Sequence, residues 1–180
     1  MKIQRQLTLP DFDHRPANTQ IDTLVLHSMY NPFATCQADK FMPEQCCQCL
    51  HHHHVSAHYL IARDGNTFEL VAPNMRAWHA GASEHPIDGR TRLNDFSIGI
   101  ELIATEDSGY TDEQYDAVSQ LSHLLAQQFP ISSIVGHVHI APDRKSDPWQ
   151  FDWSRFNQQL IEKNMGDLVP NPLLNTKLSP

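Results

Sequence analysis

The sequence lacks long apolar runs and lacks an excess of positive charge. Its apolar runs reach only a few residues, as at Leu24-Val25-Leu26, whereas a transmembrane helix needs about 20. Lys and Arg number 13 against 21 Asp and Glu, which gives a net charge of −8. A chain with this charge and no basic cluster is a poor ligand for nucleic acid. We therefore expect neither a membrane nor a nucleic acid as a partner, and we expect a monomer.

Signals for export and for disulfide bonding are also missing. Residues 1–10 contain no continuous apolar core and no small-residue cleavage site, so they predict a cytoplasmic protein. The four cysteines are confined to one short stretch, at Cys36, Cys46, Cys47 and Cys49. Adjacent cysteines are a poor disulfide framework, and we expect reduced thiols.

The composition is that of a globular domain that is rich in histidine. The chain has 180 residues, 40% of them hydrophobic and 19% charged, which is enough for one domain with its own core. We expect a single domain over residues 1–180, with a core at about 20–165 and an irregular tail at 166–180. The 12 histidines invite a metal hypothesis, since imidazole is a common ligand of transition metals.

Short β-rich runs alternate with polar loops along the chain. Period-two patterns and apolar runs predict strands at 22–27, 58–62, 67–71, 96–103 and 131–136. The sequence Arg63-Asp64-Gly65-Asn66 predicts a hairpin turn between the second and third of these. The remaining segments are predicted to be irregular: residues 1–20, 29–54 (with a helix near 44–51), 76–92 and 137–150.

Two helices complete the predicted fold. Thr111 and Gln114 form a capping-box pattern, and apolar residues then recur at helical spacing, so the sequence predicts a helix over 112–129. Asp152 is a predicted N-cap of a last helix, whose inward residues would be Trp153, Phe156, Leu160 and Ile161. Strands interleaved with helices indicate an α/β fold, with a mixed central β-sheet flanked by helices.

Ligand-type side chains occur at three places with a defined backbone context. His27 ends a predicted buried strand, His137 and Asp147 stand ten residues apart across a loop, and Glu101 lies on the polar face of its strand. Two histidines and a carboxylate are the ligands of a catalytic zinc site with one open position. Zinc would activate water, Glu101 could accept the proton, and Lys145 could stabilise an oxyanion. Taken alone, however, a strand-end histidine is more often a structural hydrogen-bonding residue, and many loops contain His and Asp.

A second group of ligand-type residues lies in the loop at 29–54. The run His51 to His54 follows Cys46, Cys47 and Cys49 closely, and so dense a group can bind zinc or copper adventitiously. We favour a solvated loop of reduced thiols and histidines, and keep a metal-handling protein as the alternative.

Several longer motifs, in a fixed order, resemble the AmpD amidases. These are cytosolic N-acetylmuramoyl-L-alanine amidases, in the zinc amidase family that also contains T7-type lysozyme and the peptidoglycan recognition proteins. The matching motifs cover roughly residues 20–157: VSAHYLIARDG (55–65), RAWHAG (76–81), NDFSIGIEL (94–102), YTDEQY (110–115), GH (136–137) with IAPDRKSDP (140–148), and FDW (151–153).

The resemblance implies a fold, an activity and a set of site residues. The fold would be that of the peptidoglycan recognition proteins and T7 lysozyme. The activity would be zinc-dependent hydrolysis of the amide between N-acetylmuramic acid, in the 1,6-anhydro form, and L-alanine of muropeptides, in cell-wall recycling. One Zn²⁺ per chain would be held by His27, His137 and Asp147. The catalytic groups would be Glu101 and Lys145.

The substrate-binding residues are less well defined by the resemblance. Arg92 would grip a carboxylate of the stem peptide, because a guanidinium binds carboxylates in a bidentate manner, and Trp78 and His79 are candidates for lining the cleft. Ser28 and His54 stand at two contact positions where the family usually has Asn and Arg, and Trp149 replaces the family's glycine. These departures leave the ligands and catalytic groups in place and concern the choice of sugar and peptide.

Two other functions stay open at this point. One is a lytic amidase that acts on intact peptidoglycan. The other is a peptidoglycan-binding module without catalysis, although recognition proteins of that kind often lack one zinc ligand and all three are present here.

Overall fold

The computed structural model describes residues 1–166 and 168. Its strands are β1 (Ile3–Gln4), β2 (Phe12–His14), β3 (Thr23–Met29), β4 (Tyr59–Ile61), β5 (Thr67–Glu69), β6 (Met75–Ala77), β7 (Ser97–Ile103) and β8 (Ser133–Gly136). Its helices are α1 (Gln37–Lys40), α2 (Pro43–His52), α3 (Asp112–Gln128), α4 (His137–Ile140) and α5 (Trp153–Glu162), with a 3₁₀ turn at Leu93–Asp95. None of these helices is both long and apolar enough to cross a membrane.

Six strands form one mixed sheet in the order β1-β5-β4-β7-β3-β8. All neighbours are parallel except β4 and β5, which form the antiparallel hairpin predicted around Gly65. The central strands β3 and β7 are buried almost throughout, as expected for parallel strands covered on both faces. The predicted α/β class with a mixed sheet is confirmed.

Helices cover the two faces of this sheet. On one face, α3 and α5 pack over Ile98, Ile100 and Leu102 of β7. On the other, α2 packs over Leu60 of β4 and Ile103 of β7 through Cys46 and related apolar residues. The alternation of side chains along β7 therefore decides which helix layer each residue meets.

Both predicted helix starts are confirmed. Thr111 accepts a hydrogen bond from the backbone N–H of Gln114, whose side chain returns to Thr111, and Asp152 caps α5. The expected inward position of Ile161 is wrong, because this side chain is 55% exposed. Trp153, Phe156 and Leu160 fill the inner face at i, i+3 and i+7, and the next residue is rotated by about 100° toward solvent.

Some predicted loops contain short elements. Residues 1–20 include β1, which pairs with β5, and β2, which forms a separate two-stranded sheet with β6. The helix predicted near 44–51 is confirmed as α2. The loop at 76–92 begins inside a strand, the loop at 137–150 begins with α4, and 29–54 also contains the short helix α1. Elements of two to four residues are too short for a periodic pattern. The predicted tail at 166–180 lies outside the described residues, apart from Gly166 and Leu168.

Candidate metal centre and catalytic cleft

The side chains of His27, Glu101 and His137 lie at the same edge of the sheet. His27 in β3 pairs in register with Glu101 in β7, and Leu26 pairs with Gly136, the last residue of β8. His137 follows at the start of α4. Ligand sites of α/β sheets form at this edge, because the carboxyl ends of parallel strands meet there.

Asp147 reaches the two histidines from the loop after α4. The Nδ1 atoms of His27 and His137 are 2.9 Å apart, and Oδ2 of Asp147 lies 3.2 Å from Nδ1 of His137 and 3.5 Å from Nδ1 of His27. Ligand atoms arranged tetrahedrally at zinc distances are about 3.3 Å apart. The three donors therefore fit a zinc ion with one position left open. Among residues 1–166 and 168, no other group of three or more His, Cys, Asp or Glu side chains is close enough to hold a metal ion.

The surroundings keep these ligands in the forms that bind a cation. Burial and the neighbouring His137 lower the pKa of His27 to about 4, so its imidazole is neutral near pH 7. Burial alone would raise the pKa of Asp147, but the adjacent rings of His137 and His27 outweigh it and hold this pKa well below its usual range. Nε2 of His137 lies 3.3 Å from the carbonyl oxygen of Ala80. This carbonyl can only accept, so it favours the tautomer with a free Nδ1.

Glu101 is buried beside this cluster and is not fully paired. It is 7% exposed, and its Oε2 atom has no hydrogen-bond partner among the described residues. Burial, reinforced by the charge of Asp147, raises the pKa of Glu101 to about 8. A carboxyl group with these properties can take up or release a proton near neutral pH.

The cluster opens into a cleft of about 370 Å³. Lys145, on the same loop as Asp147, is exposed and lines this cleft with Glu101. Of the predicted substrate-binding residues, Ser28 and His79 also line it. The hydroxyl of Ser28 contacts that of Tyr110.

Trp78, Arg92 and His54 do not belong to the residues that line the cleft. The side chain of Arg92 is 71% exposed, and its Nε lies 3.2 Å from Oδ2 of Asp95. His54 is exposed near Asp11. A role of these three residues in binding stays a prediction.

An aromatic pair at the cleft was not predicted from the sequence. The rings of Tyr30 and Trp149 meet edge to face with centroids 6.0 Å apart, and Nε1 of Trp149 donates to the hydroxyl of Ser146. Trp149 stands two residues after Asp147, which was the one available signal. Tyr30 carried none, because only the fold brings it across the cleft.

The cysteine and histidine group lies apart from the cleft's metal ligands. Cys46, Cys47 and Cys49 lie on the buried face of α2, so the expectation of solvated thiols holds for Cys36 alone. Burial raises the pKa of Cys47 to about 12, which keeps the thiol protonated. His51 to His54 are exposed, and Nδ1 of His51 lies 2.6 Å from Oδ2 of Asp11.

Comparisons with known proteins agree with this geometry. Residues 17–150 match the family model described as N-acetylmuramoyl-L-alanine amidase. A 1,6-anhydro-N-acetylmuramyl-L-alanine amidase AmpD from Citrobacter freundii is 39% identical over an alignment of 165 positions, and the match covers 84% of this chain and 87% of the relative.

Solved structures are similar over the same region. A crystal structure of an AmpD derivative has a TM-score of 0.74 and 37% identity, covering 88% of this chain and 94% of that one. AmpDh3 from Pseudomonas aeruginosa, solved in complex with anhydromuramic pentapeptide, has a TM-score of 0.63 and 32% identity, covering 84% and 62%. The fold, the cleft and these matches lead to one assignment: the chain belongs to the N-acetylmuramoyl-L-alanine amidase family.

Proposed function

We propose that this protein hydrolyses the amide bond between N-acetylmuramic acid, in its 1,6-anhydro form, and the L-alanine of muropeptides, as a single zinc amidase domain. The observation that carries the proposal is the convergence of His27, His137 and Asp147 within 3.5 Å, beside Oε2 of Glu101, which has no hydrogen-bond partner in the described part of the chain. The names of the AmpD relatives and the anhydromuramic pentapeptide in AmpDh3 support the substrate class.

The metal ligands of the proposal are His27, His137 and Asp147, with one Zn²⁺ per chain. When bound there, Zn²⁺ would lower the pKa of water and act as a Lewis acid toward the carbonyl group. The donor set fits this ion, because two neutral imidazoles and one carboxylate leave it a net positive charge.

Glu101 is the proposed carrier of the proton. Its carboxylate accepts a proton from the attacking water as the water oxygen bonds to the amide carbon. The same proton then passes to the nitrogen of alanine as the carbon–nitrogen bond breaks, so a free amine leaves and a carboxylic acid remains on the lactyl group. A raised pKa, here about 8 in the metal-free protein, suits a group that must both accept and donate.

Lys145 is the proposed partner of the developing oxyanion. Its ammonium group sits on the loop that also carries Asp147 and faces the same cleft as Glu101. A fixed positive charge near the carbonyl oxygen favours the tetrahedral transition state over the planar substrate.

The family resemblance also extends the proposal to place and partners. We propose a cytoplasmic protein that acts as a monomer on released muropeptides in cell-wall recycling, without a membrane or nucleic acid as partner. Its net charge of −8 fits the last point, since phosphate backbones attract basic surfaces.

The test is a mass-spectrometric assay with purified protein of known zinc content and anhydro-muramyl tripeptide. We expect release of a peptide with a free N-terminal L-alanine, lost with a chelator and restored by zinc. Intact sacculi, tested in parallel, separate the proposal from a lytic amidase. Release from sacculi alone would contradict the proposal, and binding without release from either substrate would indicate a recognition module.

A further inference from the structure

A third histidine lies beside the proposed metal ligands and takes no part in the mechanism above. His79 is 9% exposed, and its Nδ1 lies 3.0 Å from Nε2 of His27. Its other ring nitrogen, Nε2, lies 3.2 Å from the hydroxyl oxygen of Ser97. The ring therefore bridges a metal ligand and a buried serine.

We propose that His79 is a positioning residue which, together with Ser97, fixes the tautomer and the orientation of His27. This inference rests on the metal centre of the proposed function. It replaces the expectation that His79 recognises substrate in the cleft, since both of its ring nitrogens are occupied within the protein.

His27, His79, Ser97 and the carbonyl of Leu93 form a series of hydrogen bonds. The direction of each bond follows from the carbonyl at the end of the series. The hydroxyl of Ser97 lies 2.6 Å from the carbonyl oxygen of Leu93, which can only accept, so Ser97 donates to it. The oxygen of Ser97 must then accept from Nε2–H of His79. A neutral His79 carries no proton on Nδ1 in that case, because a neutral imidazole has one N–H.

The tautomer of the proposed metal ligand His27 follows in the same way. A bare Nδ1 on His79 accepts from Nε2–H of His27, and His27 is left with a bare Nδ1. That atom is the one that faces His137 and Asp147. A carbonyl oxygen at Leu93, three hydrogen bonds away, thereby determines which nitrogen of His27 can bind zinc.

The protein provides a fitted place for the His79 ring. A β-carbon at Gly99 would lie 2.5 Å from Cγ of His79, so only glycine admits the ring against β7. The side-chain oxygen of Asn94 accepts hydrogen bonds from the backbone N–H groups of His79 and Ala80, at 3.1 and 2.8 Å. Ring and backbone are thus held independently.

Removing the hydroxyl of Ser97 should reverse the direction of the hydrogen bond between His79 and His27. In Ser97→Ala, His79 loses its acceptor and can carry its proton on Nδ1 instead. It would then donate to Nε2 of His27, which forces the proton of His27 onto the nitrogen that should bind zinc. Loss of such an outer partner typically weakens metal affinity about 10- to 100-fold, and we expect a loss in that range.

The first readout is zinc affinity, measured by competition with a chromophoric chelator. Ser122→Ala is the matched control, because Ser122 is also buried and its hydroxyl donates to the backbone carbonyl of Val118 in α3, 2.8 Å away, outside the hydrogen bonds of His79. His79→Leu should weaken zinc as Ser97→Ala does. His79→Asn should be milder, because its side-chain oxygen can replace Nδ1 as acceptor.

The second readout is the tautomer itself, from long-range ¹⁵N NMR spectra of the histidine rings in zinc-loaded protein. We expect the Nε2–H form of His79 in the wild type and in Ser122→Ala, and its loss in Ser97→Ala. If the wild type binds zinc one to one while Ser97→Ala and His79→Leu bind it equally tightly, the inference is overturned. If the wild type itself binds no zinc, the proposed metal centre is what fails.

Discussion

Two buried polar groups in this protein differ in how far they are satisfied. Gln114, at the start of α3, is fully buried and makes four hydrogen bonds. Its oxygen accepts from Arg63 at 3.1 Å and from the backbone of Thr111 at 3.2 Å. Its nitrogen donates to the carbonyls of Ile61 and Ile103, at 3.3 and 2.9 Å. Every hydrogen-bonding position of the amide is therefore used.

The cluster of proposed metal ligands is not closed in this way. The Nδ1 atoms of His27 and His137 face each other at 2.9 Å, and Oε2 of Glu101 has no partner among the described residues. Buried polar atoms without partners cost free energy, and here one of them lies beside the proposed metal ligands. The contrast separates a polar group that holds the structure from those that we propose to bind a metal and a substrate.

The largest expected effect is on catalysis. We expect Glu101→Gln to lower kcat about 100- to 10,000-fold, the usual range for a general acid–base group, while zinc affinity stays within a few-fold. The measurement is turnover of anhydro-muramyl tripeptide at equal zinc content. Glu113→Gln, an exposed glutamate on α3, is the control. Near-normal turnover of Glu101→Gln with zinc bound would show that the role assigned to this carboxylate is wrong.

Replacing Gln114, whose side chain is fully hydrogen-bonded, should lower stability and leave catalysis unchanged. Gln114→Leu removes the side-chain hydrogen bonds to Arg63, to the backbone N–H of Thr111 and to the carbonyls of Ile61 and Ile103. We expect it to lower the free energy of unfolding by about 3 kcal/mol. Turnover per folded molecule should not change. Urea unfolding of the metal-free protein provides the measurement, with the exposed Gln120→Leu on the same helix as control. Equal stability of the two variants would remove the contrast drawn above.

A pH series on metal-free protein should show the cost of burying Glu101. Its folded pKa is raised from 4.5 to about 8, so between these values the folded state holds a proton that the unfolded state has lost, and stability falls as pH rises. Glu101→Gln removes this contribution. We expect the variant to gain about 2 kcal/mol over the wild type at pH 9 relative to pH 5, less than the whole shift implies because buried sites relax.

The comparison uses urea unfolding with a chelator present, at both pH values. His27 and Asp147 also titrate, but they do so in both proteins, and the difference between the proteins isolates Glu101. A gap that is the same at both pH values would mean that this carboxyl is not held protonated by burial.

The smallest expected effect is at the rim of the cleft. Trp149→Gly removes the aromatic contact with Tyr30, and we expect KM for muropeptide to rise several-fold, about 1 kcal/mol of binding. Zinc affinity and kcat should stay unchanged. Steady-state kinetics with short and long stem peptides give the answer, and an unaltered KM for all of them would exclude Trp149 from substrate binding.

Sequence reasoning reached the parts of the molecule that local patterns or long motifs determine. Helix α3 followed from a capping box and a 3.6-residue period, and the cluster of His27, His137 and Asp147 followed from motifs of the family. The orientation of His79 could not be predicted, because it depends on Ser97 and Leu93 in a strand and a turn that only the fold brings behind it. Strands β1, β2 and β6 were not predicted for a related reason, since each is defined by pairing with a strand that is distant in the sequence.

The register of β3 against β7 has a consequence for how such a protein can diverge. His27 and Glu101 are cross-strand partners, so their spacing is that of neighbouring strands, about 4.8 Å, and no single substitution elsewhere alters it. Asp147, Lys145 and Trp149 instead share one loop after α4. A change at Trp149 can reshape the rim of the cleft while the strand-borne pair keeps its spacing, whereas Asp147 and Lys145 tie the rest of this loop to the proposed chemistry.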